Sequence, residues 1–514
     1  MMCTYADNTE CAVVFAYYVF LHPLKDYPGP LLAKVTDAYA GYHAIMMRLH
    51  LTTWEDHERY GRVIRHGPNK LVFNSAQALR DIYLNDRLSK SRVYLTTLQA
   101  STGENVWSTI DKRTHRSRQR IVGAVFNDHF MRQFEPVIIK EIGIFLGLIL
   151  KACQTPGTLL LDMTDQFHHL TLDIVGQLAF GHANNTQTKP KGRFLVKGLM
   201  VANYHNNVLM QFPYLAQSWL VSLMHRLTAR RQQKNLDSLR KIINRRISQG
   251  MEAKYDLYHV VTKHVGIEDA KDVKLSELWS EAAMFYVAGG ETSSTTMSAL
   301  FFYLSRNQEC YCRLTSEIRS TFTDGADIRR GQKLLSCRYL RACIDEALRI
   351  SPPGPGTFWR EAPHDDTEEV GPLIIDGHVI SPGTQVGVCT YAIHHNEEYF
   401  PEPFVFRPER WLIDNTLDRP QQAFVPFSIG SRSCPGKPLA YLEISLTVAK
   451  TLWYFDFERP SGSLGDIGGG RLGRRGGRGR TDEFQLYDIF ASTHKGPILS
   501  FSTRDEFWRE LETL

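Results

Sequence analysis

The sequence predicts a mainly α-helical fold with small β-sheets, gathered into one large domain. Three observations predict it. Helical periodicity dominates from about residue 111 to residue 256, and returns in 275–304 and 340–349. Short apolar–polar alternations bounded by glycine and proline occur at 61–74 and 371–388. There is no regular strand–helix alternation of the kind that builds a parallel sheet. A chain of 514 residues, 43% hydrophobic and 22% charged, suits a large globular enzyme.

In chain order, the first segment is "CAVVFAYYVFLH", Cys11 to His22, apolar and aromatic. As a helix it would span about 17 Å, short of a bilayer core of about 30 Å. It has neither a basic leader nor a small-residue cleavage site. Residues 1–22 therefore read as a short apolar segment: a shortened anchor, an interfacial helix or a mis-assigned start. Residues 23–30 form a hinge, because Pro23, Pro28 and Pro30 cannot continue a helix. The body is 31–514. "GRVIRHGPNKLVFN" reads as an early hairpin around Gly-Pro. Leu275 to Leu304 reads as one long buried helix. The helix Leu340–Arg349 stops at "SPPGPG", and "GPLIIDGHVISPGTQVGV" reads as short strands and turns. Ser461 to Arg480, "SGSLGDIGGGRLGRRGGRGR", is rich in glycine and arginine and is expected to be an exposed, disordered loop.

Charge and cysteine usage narrow the function classes. A net charge of +5 is small for this length and does not suggest a dedicated nucleic-acid binder. The Gly/Arg run lacks the interleaved aromatics on which bases stack, so no nucleic acid is expected as a partner. Nine scattered cysteines form no paired zinc pattern. They suggest a reduced, cytosol-facing chain whose thiols are mostly core fillers.

One cysteine stands apart. In "PFSIGSRSCPGKPLAYLEI", Cys434 could be filler, half a disulfide, a nucleophile or a metal ligand. Phe427, Gly430, Arg432, Cys434 and Gly436 fill the pattern F-x-x-G-x-R-x-C-x-G, extended by Leu439, Ala440 and Glu443. This resembles the haem-binding signature of the cytochrome P-450 superfamily, and the resemblance implies that superfamily's single haem-enclosing domain. It implies haem b held by the Cys434 thiolate, with Arg432 pairing with a propionate and Phe427 shielding the sulfur. The chemistry is consistent: glycines let amide N–H groups approach the sulfur and stabilise its negative charge, and a thiolate pushes electron density into the iron.

Further stretches extend the resemblance. "AGGETSS" matches the family pattern [AG]-G-x-[DE]-T-[TS]. Two mid-helix glycines cost about 1 kcal/mol each relative to alanine. They suggest either close helix packing or a local bulge on the oxygen side of the haem. By the resemblance, Thr292 donates a hydrogen bond on that side and Glu291 belongs to a proton-delivery chain. "EALR" and "FRPERW" imply a buried structural network of Glu346, Arg349 and Arg410. "PPGPGTFWRE" implies a propionate contact for Arg360, with Thr357 and Phe358 as pocket candidates. In "DKRTHRSRQRIVGAVF", His115 and Gln119 stand where many relatives carry Trp and Arg. His115 is the propionate candidate, and the Gln leaves open which of Arg118 and Arg120 reaches the haem.

The chain is thus identified as resembling fungal microsomal members of secondary metabolism. The implied activity is a haem-thiolate monooxygenase that inserts one oxygen atom from O2 into a small lipophilic substrate. Electrons would come from NADPH-cytochrome P-450 reductase, with cytochrome b5 as an auxiliary donor, since the chain shows no dinucleotide fingerprint. The implied location is the cytosolic face of the endoplasmic reticulum membrane. Two alternatives are a haem-thiolate isomerase or dehydratase that needs no reductase, and a non-catalytic haem- or RNA-binding protein.

Overall fold

The computed structural model describes residues 8–100, 104–155, 160–182, 184–218, 275–362, 371–412 and 419–513, with scattered positions between 219 and 274. Its principal helices are α1 (Ala76–Tyr83), α2 (Lys112–Val125), α3 (Asp128–Gln154), α4 (Met163–Phe180) and α5 (Phe194–Gln211). They continue with α6 (Leu275–Leu304), α7 (Gln308–Thr321), α8 (Arg338–Ile350) and α9 (Lys437–Tyr454). Local chemistry sets several starts. Ser75, Asp111, Asn127 and Asp162 each accept a hydrogen bond from a first-turn amide of the helix that follows, satisfying a donor the helix cannot. α4 ends on Gly181 at φ +54°, a left-handed position that suits glycine.

The core lies between α3, α4, α6 and α9. Phe145 stacks on Phe167 at 5.5 Å, Phe167 meets Phe301 edge-on at 5.1 Å, and Phe301 stacks on Phe457 at 4.7 Å. This aromatic file links α3, α4, α6 and the strand after α9 through contacts that bury large apolar area.

The strands are short. β1 (Val63–Gly67) and β2 (Lys70–Phe73) form the hairpin expected from the sequence. With β3 (Ser89–Lys90), β5 (Arg360–Glu361) and β8 (Gln385–Val388) they make a five-stranded sheet of order β1-β2-β8-β5-β3. β4 (Leu160–Asp162), β9 (Phe455–Glu458) and β10 (Ile498–Thr503) form a second sheet, and β6 (Leu373–Ile375) pairs with β7 (His378–Ile380) in a third. The register that matters most pairs Lys90 with Arg360, across β3 and β5.

At the N-terminus, Asn8–Ala16 is helical and Tyr17–Leu21 continues as a wider turn. Val13, Phe15, Phe20 and Leu21 are exposed. Among the described residues no helix is long and apolar enough to cross a membrane. The proline hinge is docked on the body: Arg65 donates to the carbonyls of Tyr18 and Leu24, and its own amide bonds Pro28 O at 2.7 Å.

The Gly/Arg-rich segment differs from its expectation, because it is folded. Gly470 and Arg471 amides bond the carbonyls of Arg480 and Arg478 at 2.9 Å each. Arg478 donates to Leu486 O at 2.6 Å and Met47 O at 3.1 Å. Arg480 lies 3.7 Å from the Phe404 ring centroid and also covers Trp54. The glycines shape a tight turn, and the arginines satisfy carbonyls and cover aromatic faces. Composition predicted flexibility because it cannot register those partners.

Candidate functional site

The cysteine loop starts with a backbone that few residues can adopt. Gly430 has φ +78°, and a Cβ there would lie 2.1 Å from Tyr83 O at the end of α1. Only glycine fits such a position. From it the chain turns back. Ser433 N bonds Gly430 O at 3.0 Å, and Cys434 N bonds Phe427 O at 2.9 Å. The amides of Gly436 and Lys437, at the start of α9, both reach the Cys434 sulfur. Burial pushes the Cys434 thiol up, while those two amides and the Lys437 charge pull it down. The residue is nonetheless accessible, although protein atoms surround its sulfur closely enough for burial to act on it. Phe427 packs its ring against Tyr441 at 5.3 Å. Gly436 differs from Gly430: a Cβ there would meet Cys434 Sγ at 3.8 Å, an ordinary contact. The chain's own atoms therefore do not demand glycine at 436.

α6 carries the second set. It is α-helical throughout Leu275–Leu304, so the local bulge that the sequence allowed is not present. The glycines instead make room for α4. A Cβ on Gly289 would lie 2.6 Å from Val175 Cγ2, and one on Gly290 would lie 2.9 Å from Leu172 Cδ2. Thr171 Oγ1 donates to Gly290 O at 2.7 Å. Ala288 is accessible in the middle of this otherwise buried helix, as Cys434 is in its loop. Thr292 Oγ1 donates to Ala288 O at 2.6 Å, which places it on the accessible side. Glu291 is buried instead, its Oε2 2.9 Å from His168 Nε2 on α4. Glu443, one of the motif's outer residues, is also buried; burial raises its pKa to about 8, and the nearby Ser293 hydroxyl offsets part of that.

The third set is cationic. Lys90, His115, Arg360 and Arg432 act on one another electrostatically. His115 is pushed down to about 3 by burial, then by Arg432, Lys90 and Arg360. Lys90 is pushed far below its usual range by burial, then by Arg360 and Arg432. Arg432 is lowered to about 10 by burial and then by Arg360, against the more favourable Asp111. Lys90 donates to Trp107 O, and Arg432 donates to Ile110 O at 2.8 Å. Among the described residues none of the four has an ion-pair partner. Buried like charges are costly unless an anion joins them. Sequence reasoning missed Lys90; its signal, a lone lysine before Ser91, was too weak, and only β3–β5 pairing brings it beside Arg360. Of the two arginines left open, Arg118 binds Glu281 on α6 at 3.0 Å and Arg120 is exposed.

An accessible cysteine with two amide donors, beside four basic side chains that lack an ion-pair partner among the described residues, fits a flat dianionic macrocycle ligated by sulfur. The described residues thus suit haem b with its two propionates.

Behind the site, Glu346 forms the expected network. Its Oε1 accepts from Arg349 at 2.8 Å and Arg410 at 3.0 Å, and its Oε2 accepts from Arg349 and Trp411 at 2.9 Å each. Arg349 also donates to His394 O and Pro403 O at 2.8 Å. Burial would raise the Glu346 pKa, but Arg349 and Arg410 hold it below the usual range. Thr357 bridges to Cys389 in the backbone, and Phe358 packs with Leu79, Tyr83 and Ile429, next to the cysteine loop.

Comparison with known proteins agrees with this geometry. Residues 40–468 match the family model described as Cytochrome P450. "Cytochrome P450 monooxygenase AKT7" of Alternaria alternata is 32% identical over 497 residues, covering 94% of both chains. "Cytochrome P450 monooxygenase poxM" of Penicillium oxalicum is 33% identical over 491 residues, 94% of this chain and 91% of that one. "Cytochrome P450 monooxygenase apf7" of Gibberella fujikuroi is 33% identical over 520 residues, 96% of each.

Proposed function

The chain belongs to the cytochrome P450 family, whose members bind haem b, and is a monooxygenase; from that premise we propose that it oxidises a small lipophilic intermediate of fungal secondary metabolism. Electrons come from NADPH through a separate reductase, with cytochrome b5 as an auxiliary donor. The observation that carries the site assignment is the accessible Cys434 under two amide donors, beside a basic cluster with no ion-pair partner among the described residues.

Cys434 would hold the haem iron through its sulfur. The Gly436 and Lys437 amides, at the positive end of α9, stabilise the sulfur's negative charge. Lys90, His115, Arg360 and Arg432 would hold the propionates through charge-assisted hydrogen bonds. When bound, haem supplies the activation of dioxygen and the delivery of one oxygen atom to a substrate carbon. The Thr292 hydroxyl, rotating away from Ala288 O, holds a proton at Oγ1 on the cavity side. Glu291 supplies protons from behind it. Glu346, Arg349 and Arg410 keep the loop around 400–411 in place. Lys112, Arg113, Arg116 and Arg120 are exposed on α2 and form a docking face for an acidic electron donor. The exposed apolar residues of 13–21 rest the body on the cytosolic face of the endoplasmic reticulum membrane.

The test has two parts. Reduced wild-type holoprotein exposed to carbon monoxide should show thiolate-type absorption, and Cys434→Ala should lose it; an unchanged spectrum refutes the ligand. A strain lacking the gene should accumulate a precursor that is one oxidation step short. An unaltered metabolite profile refutes the biosynthetic role.

A further inference from the structure

We infer that His168 is a positioning residue for Glu291: its imidazole anchors the carboxylate against α4 and sets when that carboxylate can turn toward the Thr292 side. The inference rests on the reading of Glu291 as a proton donor in the proposed function.

The geometry is that of a built pair. His168 Nε2 stands 2.9 Å from Glu291 Oε2, with side chains only 5% and 3% exposed. The two meet because Gly289 and Gly290 let α4 close on α6, and the Thr171 bond to Gly290 O pins that approach one turn further on. The second His168 nitrogen is engaged too, bonding the Thr164 carbonyl one turn back. Both ring nitrogens therefore face acceptors, the arrangement of an imidazolium. The ring is also held on its face. His494 stacks on it at 5.3 Å with 21° between planes. His494 is fixed in turn by Ser298 Oγ at 2.9 Å and Thr295 Oγ1 at 3.3 Å, both on α6. The imidazole is thus clamped by α4, α6 and the C-terminal segment, while Glu291 has a flexible side chain.

The charged and titratable groups facing His168 are few. Glu291 comes from α6 and Asp165 from its own helix. His494 is pushed well below its usual range by burial and then by His168, so it stays neutral. His169, the next residue, is lowered to about 4 by burial and then by Arg193. Burial also acts to lower His168, but Glu291 and Asp165 outweigh it and raise the imidazole pKa. A raised folded pKa gives stability that is complete below the unfolded value of about 6.5 and is lost as pH rises through the folded value. Above that point the ring is neutral, its ionic hold on Glu291 is lost and the carboxylate is freer to turn.

The experiment uses full-length holoprotein with reductase and NADPH, and needs no substrate. Peroxide released per NADPH is measured from about pH 6 to about pH 9 for wild type, H168Q, H168K, E291Q and H168Q/E291Q. Urea midpoints are measured over the same range. The expected result is an alkaline limb in wild type that H168Q moves by about one pH unit or more and that the fixed cation of H168K pushes upward. E291Q should remove it, and the double variant should match E291Q. Wild type should lose urea resistance with rising pH by more than H168Q or E291Q does. If H168Q yields no folded holoprotein, H168K against wild type decides alone. E291Q altering the profile while the His168 variants superimpose on wild type would overturn the inference and leave Glu291's role standing. E291Q indistinguishable from wild type would remove the Glu291 reading itself, and the inference with it.

Discussion

Lys90 shows how a single side chain can be explained only by a ligand. Its ammonium is buried beside Arg360 and Arg432, and its folded pKa is far below the usual range. The chain alone gains nothing from that arrangement. Lys90→Met should therefore raise the urea midpoint of haem-free protein, because it removes a buried charge. The same change should weaken haem binding about tenfold to a hundredfold, the value of a charge-assisted bond of about 1.5–3 kcal/mol. Haem transfer to apomyoglobin measures the second effect. If both forms weaken equally, Lys90 is merely structural. Arg349 is the opposite case, since its partners lie within the protein. Arg349→Ala strands the buried Glu346 and frees two backbone carbonyls. The expected loss is about 3–5 kcal/mol in chemical unfolding. "EALR" shows Glu346 and Arg349 one turn apart on a helix. It does not show that the pair is buried or that Trp411 completes it.

Among the elements, the cysteine loop and α6 were the most legible. The motif spacing marked 427–436 as one unit, and a long, proline-free and largely apolar stretch marked Leu275–Leu304 as one helix. What each glycine is for was not legible. Gly430 meets a carbonyl at the end of α1, more than 300 residues earlier, and its φ is positive. Gly430→Ala should therefore cost about 1–3 kcal/mol or more and slow haem incorporation, whereas Gly436→Ala should fold with little loss. Melting temperatures of the two apoproteins check this, and equal effects would contradict the steric argument. The α6 glycines invited a bulge from sequence, yet Val175 and Leu172 of α4 fill the space above them. A helix's own pattern cannot say which neighbour will approach it. The Gly/Arg-rich segment failed for the same reason: its order comes from Met47, Trp54 and Phe404, all distant in sequence.

For the whole molecule, the cation cluster sets a pH dependence that haem should reverse. His115 has a folded pKa of about 3, below its unfolded value, so the unfolded chain binds more protons between the two. Haem-free protein should then gain stability as pH rises from about 3 to about 6.5, with Lys90 extending the gain to higher pH. Bound propionates neutralise the cluster, so holoprotein should show a flatter profile and a higher midpoint. Urea unfolding of both forms across that range tests it; parallel profiles would mean the cations do not meet the haem.

The amino-acid sequence by itself determined the fold class, the cysteine motif, the Glu291–Thr292 pair and the Glu346–Arg349 turn, because each is written in contiguous residues with a fixed period or spacing. Tertiary structure alone decided that Lys90 joins the cations, that His168 holds Glu291 and that the Gly/Arg-rich segment is ordered. Those outcomes depend on contacts between residues 100 to more than 400 positions apart, and such contacts leave no local pattern in the chain.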